Sequence, residues 1–193
     1  VKAAVDAFGT VDIVINNAGI LRDRTFAKVT LDDFELVVNV HLLGGVYVTK
    51  AAWPILLEKQ YGRVVLTTSS SGLYGNFGQS NYGAAKLAVV GLMNTLKLEG
   101  ERKNVRVNCI APIAATSMTE NLGIPEEIFN RLKFELVIPA VLFLCSEGAP
   151  NGVTIEAGAG HYAEGGGIES AGADLGGSGG VDDVAGAWGK NND

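Results

Sequence analysis

The sequence predicts an α/β fold built on a parallel sheet, and three observations carry that expectation. Short apolar runs rich in β-branched residues occur at Val11–Ile15, Arg63–Thr68 and Val105–Ile110. They are separated by long stretches of helical periodicity, which is the rhythm of strands joined by helical crossovers. Hydrophobic residues make up 47% of the 193 positions, enough for one buried core in a chain of single-domain length.

Taken in order, the chain opens inside a helix, Val1–Phe8, that leads to the first strand. The next helix starts after Thr30, whose hydroxyl is placed to cap it, with Asp32 and Asp33 at its positive end. Its body reaches Trp53 or beyond; Gly44 and Gly45 either pack closely on a neighbour or end it early. A helix over Ser80–Arg102 follows the second strand, with Leu87, Val90, Leu92, Leu96 and Leu98 as its apolar face. After the third strand, Pro139 occupies the first turn of a helix through Ala140–Cys145, where its missing N–H is not needed. A short strand at Val153–Glu156 closes the sheet. Between Ala157 and Gly180, ten of 24 residues are glycine, which predicts a mobile loop or linker. The segment Val181–Gly189 reads as a short helix anchored by Trp188. Residues 1–156 therefore form the body and residues 157–193 a glycine-rich tail.

The net charge is −6 and its distribution is uneven: residues 157–193 hold six acidic residues against Lys190, so five of the six net negative charges lie in the tail. That balance argues against binding a nucleic-acid backbone. Apolar runs are broken by Gly, Asn or charge, so no membrane span is expected, and the first residues lack the pattern of a secretory leader. Cys109 and Cys145 sit beside apolar stretches and read as buried free thiols, which fits a reducing compartment. His41 and His161 are the only histidines and no cysteines are paired in spacing, so no metal centre is expected.

The chemistry concentrates in Tyr82-Gly-Ala-Ala-Lys86 and in Ser69, thirteen positions before the tyrosine at the end of a strand. A four-residue spacing puts phenol and ammonium on one helix face. A phenol titrates near 10, too high for acid–base work at neutral pH, and a nearby cation favours its ionised form. Ser69, at the mouth of a strand, is placed to hydrogen-bond the substrate oxygen that the phenol protonates or deprotonates. This constellation reads as a hydride-transfer site acting on a carbonyl or an alcohol. A lone Tyr-x-x-x-Lys arises by chance in many helices, so its neighbours decide.

Asn16-Asn-Ala-Gly19 follows the first strand, and strand, Ser69, Tyr82 and Lys86 then come in the order found in short-chain dehydrogenases/reductases. The chain strongly resembles about the last two-thirds of such a domain. Asn17–Phe26, Ser71–Gln79 and Ala157–Gly160 resemble more closely the (3R)-hydroxyacyl-CoA dehydrogenase domain of the peroxisomal multifunctional β-oxidation enzyme and its bacterial single-domain relatives. The resemblance implies a Rossmann-like, doubly wound parallel sheet. It also implies NAD-dependent oxidation of a (3R)-hydroxyacyl-CoA, with NADP left open, and a homodimer or homotetramer formed through the Ser80–Arg102 helix. It further implies a cytoplasmic location for a bacterial protein, or a peroxisomal one for part of a eukaryotic multifunctional enzyme.

A family member begins with a strand and a Thr-Gly-x-x-x-Gly-x-Gly loop that cradles the dinucleotide pyrophosphate. No such motif occurs in these residues. The chain is accordingly expected to be a fragment lacking the first βαβαβ half, inactive by itself, with the Val11–Ile15 strand left as an apolar sheet edge.

Residue by residue, the resemblance makes Tyr82 the general acid/base and Ser69 the partner of the substrate oxygen, with Ser70 and Ser71 as loop hydrogen-bonders. Lys86 tunes Tyr82 and donates to the nicotinamide ribose. Asn16, Ala18 and Gly19 belong to the turn that steadies the central sheet and walls the adenosine side of the cofactor; Asn17 reads equally as structural. Pro112 lies on the loop near the nicotinamide, where Ile113 replaces the family's usual glycine. Thr116 either holds the carboxamide or serves turn chemistry. The family's fourth catalytic residue, an asparagine that holds a water of the proton relay, aligns with His41. That imidazole either relays protons itself or is a satisfied buried histidine. Arg22 and Arg24 are either contacts for acyl-CoA phosphates or solvated surface charges. Competing functions are a 3-oxoacyl carrier-protein reductase, another alcohol dehydrogenase of the family, and a non-catalytic scaffold.

Overall fold

The computed structural model describes residues 1–114, 132–167 and 180–188. The elements are α1 (Lys2–Phe8), β1 (Ile13–Asn16), α2 (Leu31–Val38), a π-helical turn (Asn39–Leu43), α3 (Gly44–Lys59), β2 (Gly62–Thr67), α4 (Ser70–Tyr74), α5 (Ser80–Gly100), β3 (Val105–Ile113), α6 (Ile138–Cys145), β4 (Thr154–Gly158), β5 (His161–Gly165) and α7 (Val181–Trp188). The strands form one sheet in the order β1-β2-β3-β4-β5. The first four run parallel, in a register that sets Val14 beside Val64 and Val64 beside Val107.

Alternation along the strands feeds two apolar layers, because successive side chains point to opposite faces. On one face Val14, Val64, Leu66, Val105, Val107 and Cys109 pack with Ala52 and Leu56 of α3 and with Val89 and Met93 of α5. On the other, Val65, Ile110 and Ala157 pack with Ala140 and Leu144 of α6. Each fully buried aliphatic side chain contributes about 1.5–3 kcal/mol. The sheet is therefore covered by helices on both faces, as the sequence predicts.

Thr30 caps α2 by accepting from the Asp33 N–H at 3.1 Å. Gly44 and Gly45 do not end the helix. Leu31–Lys59 is one continuous helical run of 29 residues through the π turn, with Gly45 buried against the Asn16 side chain. By length and composition alone that run is apolar enough to cross a bilayer. It lies instead against β1, β2 and α5, with Val37, Thr49, Ala52 and Leu56 buried in the protein. On α5, Leu87 and Leu98 point outward rather than into the core.

The glycine-rich segment departs further from expectation. Its first residues continue β4, turn at Ala159 and Gly160, and return as β5, antiparallel to β4. Both turn residues have positive φ, 51° and 79°, as a tight hairpin of this hand requires. A segment expected to be a linker thus begins with a sheet strand. Val181–Trp188 is helical as expected, while the Trp188 side chain lies outside the described residues. At the opposite edge, β1 leaves Ile13 and Ile15 about half exposed.

Candidate active site

The site gathers where β1 and β2 end. Beyond β2, Ser69 has an extended backbone and starts α4, its hydroxyl accepting from the Ser71 N–H at 3.2 Å. The same side chain favours the ionised form of the Tyr82 phenol. Tyr82 and Lys86 lie one turn apart on α5, as the spacing demands, with the Lys86 Nζ 5.5 Å from the centre of the tyrosine ring. Lys86 is 3% exposed and donates to the Thr67 carbonyl at 2.6 Å. The Thr68 hydroxyl donates to the Lys86 carbonyl at 2.7 Å, tying strand end to helix. Gly72 makes this approach possible: a Cβ there would stand 2.8 Å from Lys86 Cβ and 2.9 Å from the Leu87 nitrogen.

The electrostatics differ from the sequence expectation. Tyr82 titrates above an ordinary phenol, because burial disfavours the phenolate; the Ser69 hydrogen bond opposes this and the Asp23 charge adds to it. Burial pulls the Lys86 ammonium down to about 8. Burial, and not the cation expected to favour phenolate, sets the direction of the Tyr82 shift. Both groups pay for being enclosed.

His41 sits in the π turn, a distortion often found at functional sites. It is 6% exposed and meets the Tyr82 ring edge-on, centroids 5.1 Å apart and planes at 89°. Its Nε2 lies 2.8 Å from the Ile20 carbonyl oxygen, to which it donates in the Nε2–H tautomer, and 3.1 Å from the Ile20 nitrogen. Nδ1 is buried without a partner among the described residues. Burial holds the imidazole below its ordinary value, the Ile20 carbonyl opposing and the Lys86 charge reinforcing. Gly19 is required by this ring, since a Cβ there would stand 2.4 Å from His41 Cε1.

Asn16 donates to the Thr49 hydroxyl at 2.9 Å, and Asn17 accepts from the Thr67 hydroxyl at 3.1 Å. With Ala18, His41, Thr67 and Lys86 they line a cavity of about 280 Å³. Six of the expected residues, Asn16, Ala18, Gly19, His41, Tyr82 and Lys86, are thus brought together with Ser69. Pro112 pairs with Ala157 in the sheet, away from that cavity's lining. Thr116 lies outside the described residues. Arg22 pairs with Asp33 at 3.6 Å and Arg24 donates to the Asp23 carbonyl at 3.0 Å, both exposed. Sequence reasoning missed Asp23, Gln79 and Asn81, which fasten the loop after Gly19 to the start of α5. Their signal was only polar residues on either side of that loop and helix. No group of three or more His, Cys, Asp or Glu suited to a metal occurs among the described residues.

A short-chain type dehydrogenase/reductase of Mycobacterium tuberculosis is 47% identical over 200 aligned positions, covering 100% of this chain and 68% of that protein. The peroxisomal multifunctional enzyme type 2 of Mus musculus is 50% identical over 161 residues, covering 83% of this chain but 22% of the mouse protein. The solved full-length peroxisomal multifunctional enzyme type 2 of Drosophila melanogaster superposes with a TM-score of 0.83 at 42% identity, over 93% of this chain and 33% of that one. The short chain dehydrogenase profile matches residues 1–127, through the turn after β1 and the Ser69, Tyr82 and Lys86 positions, and the chain belongs to that family of oxidoreductases.

Proposed function

We propose that this chain carries the proton-transfer and substrate-facing part of a (3R)-hydroxyacyl-CoA dehydrogenase, interconverting a 3-hydroxyacyl-CoA and a 3-oxoacyl-CoA. The observation that supports it most is the Tyr82 phenol with the Lys86 Nζ 5.5 Å from its ring centre and the His41 ring edge-on at 5.1 Å, and with Ser69 at the start of α4 favouring its ionised form. The acyl-CoA substrate and NAD rather than NADP rest on the resemblance to the peroxisomal enzymes and on 50% identity to one of them. On the same resemblance we propose a cytoplasmic location for a bacterial form and a peroxisomal one for a eukaryotic form. The outward Leu87 and Leu98 of α5 are compatible with a homodimer or homotetramer.

The residues present fit the nicotinamide-ribose half of the cofactor, because Lys86 offers a buried donor at a cavity also lined by Asn16 and Ala18. When bound, the nicotinamide supplies or accepts the hydride. The chain's own groups manage the proton. Ser69 holds the substrate oxygen; in reduction the protonated Tyr82 gives its proton to that oxygen, and in oxidation Tyr82 must first release its proton to solvent before it can take the one from the substrate hydroxyl. Burial keeps Tyr82 protonated at neutral pH, which suits protonation of a nascent alkoxide. Lys86, near 8, carries its charge below that pH and orients the ribose. His41, neutral at pH 7, presents the Nδ1 lone pair as an acceptor in the proton path.

The assay uses the chain extended by the dinucleotide-binding half of a relative, which supplies the glycine loop these residues do not contain. Reduction of a 3-oxoacyl-CoA with NADH is expected to exceed, by at least about tenfold in kcat/KM, both the NADPH reaction and reduction of a 3-oxoacyl carrier protein. A preference for carrier protein with NADPH would favour the reductase reading, and a preference for simple alcohols would remove the acyl-CoA assignment.

A further inference from the structure

The loop Ile20–Arg24 is stitched to the segment Gly78–Tyr82 by contacts that none of the roles above uses. Asp23 Oδ2 accepts from Gln79 Nε2 at 2.7 Å, and Gln79 Oε1 accepts in turn from Asn76 Nδ2 at 3.0 Å. The Arg22 carbonyl accepts from Asn81 Nδ2 at 3.0 Å, and the Arg24 N–H donates to the Gly78 carbonyl at 2.9 Å. Gln79 and Asn81 are both buried. The loop is fastened at Ile20 and at Arg22 to groups that touch Tyr82. At Ile20 it holds His41, whose ring meets the phenol; at Arg22 it holds Asn81, whose Oδ1 accepts the Tyr82 N–H at 2.8 Å.

Two features single out Asp23 within this clasp. Helix α5 begins without a side-chain cap and without an acidic residue in its own first turn. The loop carboxylate therefore supplies the negative charge that a helix amino end favours. Its second oxygen, Oδ1, is buried with no partner among the described residues. An unpartnered buried carboxylate oxygen opposes folding, so stability does not account for the choice of residue here.

We propose that Asp23 is a positioning residue for Tyr82: the Asp23–Gln79 clasp fixes the loop to the amino end of α5 and thereby sets where the Tyr82 hydroxyl stands. This rests on the reading of Tyr82 as the proton-transfer group. The groups facing that phenol are Ser69 before α4, Lys86 on α5, His41 on the π turn and Asp23 on the loop. The Asp23 charge helps hold the phenol in its protonated form.

Asp23→Asn keeps an acceptor for Gln79 and removes the charge, whereas Asp23→Ala removes both. In the chain itself, NMR of tyrosine labelled with carbon-13 at Cζ follows the Tyr82 titration, its signal identified by its loss in Tyr82→Phe. The Tyr82 midpoint is expected to move to lower pH in Asp23→Asn. In the extended form, turnover is expected to fall about tenfold or more in Asp23→Ala, with dinucleotide KM little moved, and to recover largely in Asp23→Asn. Gln79→Glu sets two carboxylates against each other and is expected to slow turnover; adding Asp23→Asn restores a donor and is expected to recover it. This pair also decides the matter if Asp23→Ala does not fold. Wild-type turnover in a folded Asp23→Ala, or failure of Asp23→Asn to rescue Gln79→Glu, overturns the proposal. Full activity of Tyr82→Phe would instead sink the reading of Tyr82, while the titration still reports whether Asp23 governs that phenol.

Discussion

His41 stands edge-on to Tyr82, their ring centroids 5.1 Å apart, with its Nε2 committed to the Ile20 backbone and its Nδ1 left buried and unpartnered among the described residues. The imidazole is thus both a wall of the phenol's pocket and a group that must stay neutral while enclosed.

Folding lowers the His41 value, chiefly through burial. A lowered group contributes stability that is present above its unfolded value, near 6.5, and lost as pH falls through the lowered folded value. Urea midpoints of the wild type are therefore expected to drop more steeply below about pH 6.5 than those of His41→Asn. In the extended form, His41→Leu is expected to lose most activity while staying folded, and His41→Asn to keep turnover with a pH-dependent step below about pH 6.5 removed. Superimposable pH–rate profiles and rates for all three would leave His41 a packing residue.

Lys86 gives a pH effect in a different window. Its folded value of about 8 lies below the unfolded 10.5, so the unfolded chain binds the extra proton between them and stability rises with pH across that interval. The slope is at most about 1.4 kcal/mol per pH unit from this one group. Lys86→Met removes it, and the wild type should gain on Lys86→Met in denaturant melts as pH rises from about 8 to 10. Parallel stability curves for the two proteins would contradict a desolvated lysine.

Gly72 tests the packing that brings the site together. Alanine there drives a Cβ into Lys86 Cβ and the Leu87 backbone, at 2.8 and 2.9 Å. The neighbours are a helix backbone and a buried stem, so α4 must shift and carry Ser69 away from Tyr82. Gly72→Ala is expected to destabilise by about 1–3 kcal/mol and to raise the Tyr82 midpoint, because the Ser69 side chain that lowers it is carried away. An unchanged melt and an unchanged titration would show that α4 yields without consequence.

Much of this was legible in the sequence. β-branched runs marked β1, β2 and β3 because such runs have few other uses, and the four-residue spacing of Tyr82 and Lys86 survives in any helix. Thr30 and Pro139 announced helix starts through their own chemistry. What stayed hidden depends on contacts distant in sequence. The hairpin of β4 and β5 turns on Ala159 and Gly160, and its second strand was masked by the surrounding glycines. Gly19 and Gly72 are needed only because His41 and Lys86 come against them. The upward displacement of Tyr82 follows from burial, which no local pattern encodes, and the Asp23–Gln79 clasp spans 56 residues.

The central claim is that Tyr82 moves the proton. The direct measurement is turnover of Tyr82→Phe in the extended form, beside its dinucleotide affinity and thermal midpoint. The variant removes one hydroxyl and keeps the ring against His41, so folding and cofactor affinity are expected to stay within about threefold of the wild type, while turnover falls at least about a hundredfold. A variant that binds the dinucleotide normally and retains more than about a tenth of the wild-type rate would contradict Tyr82 as the acid/base.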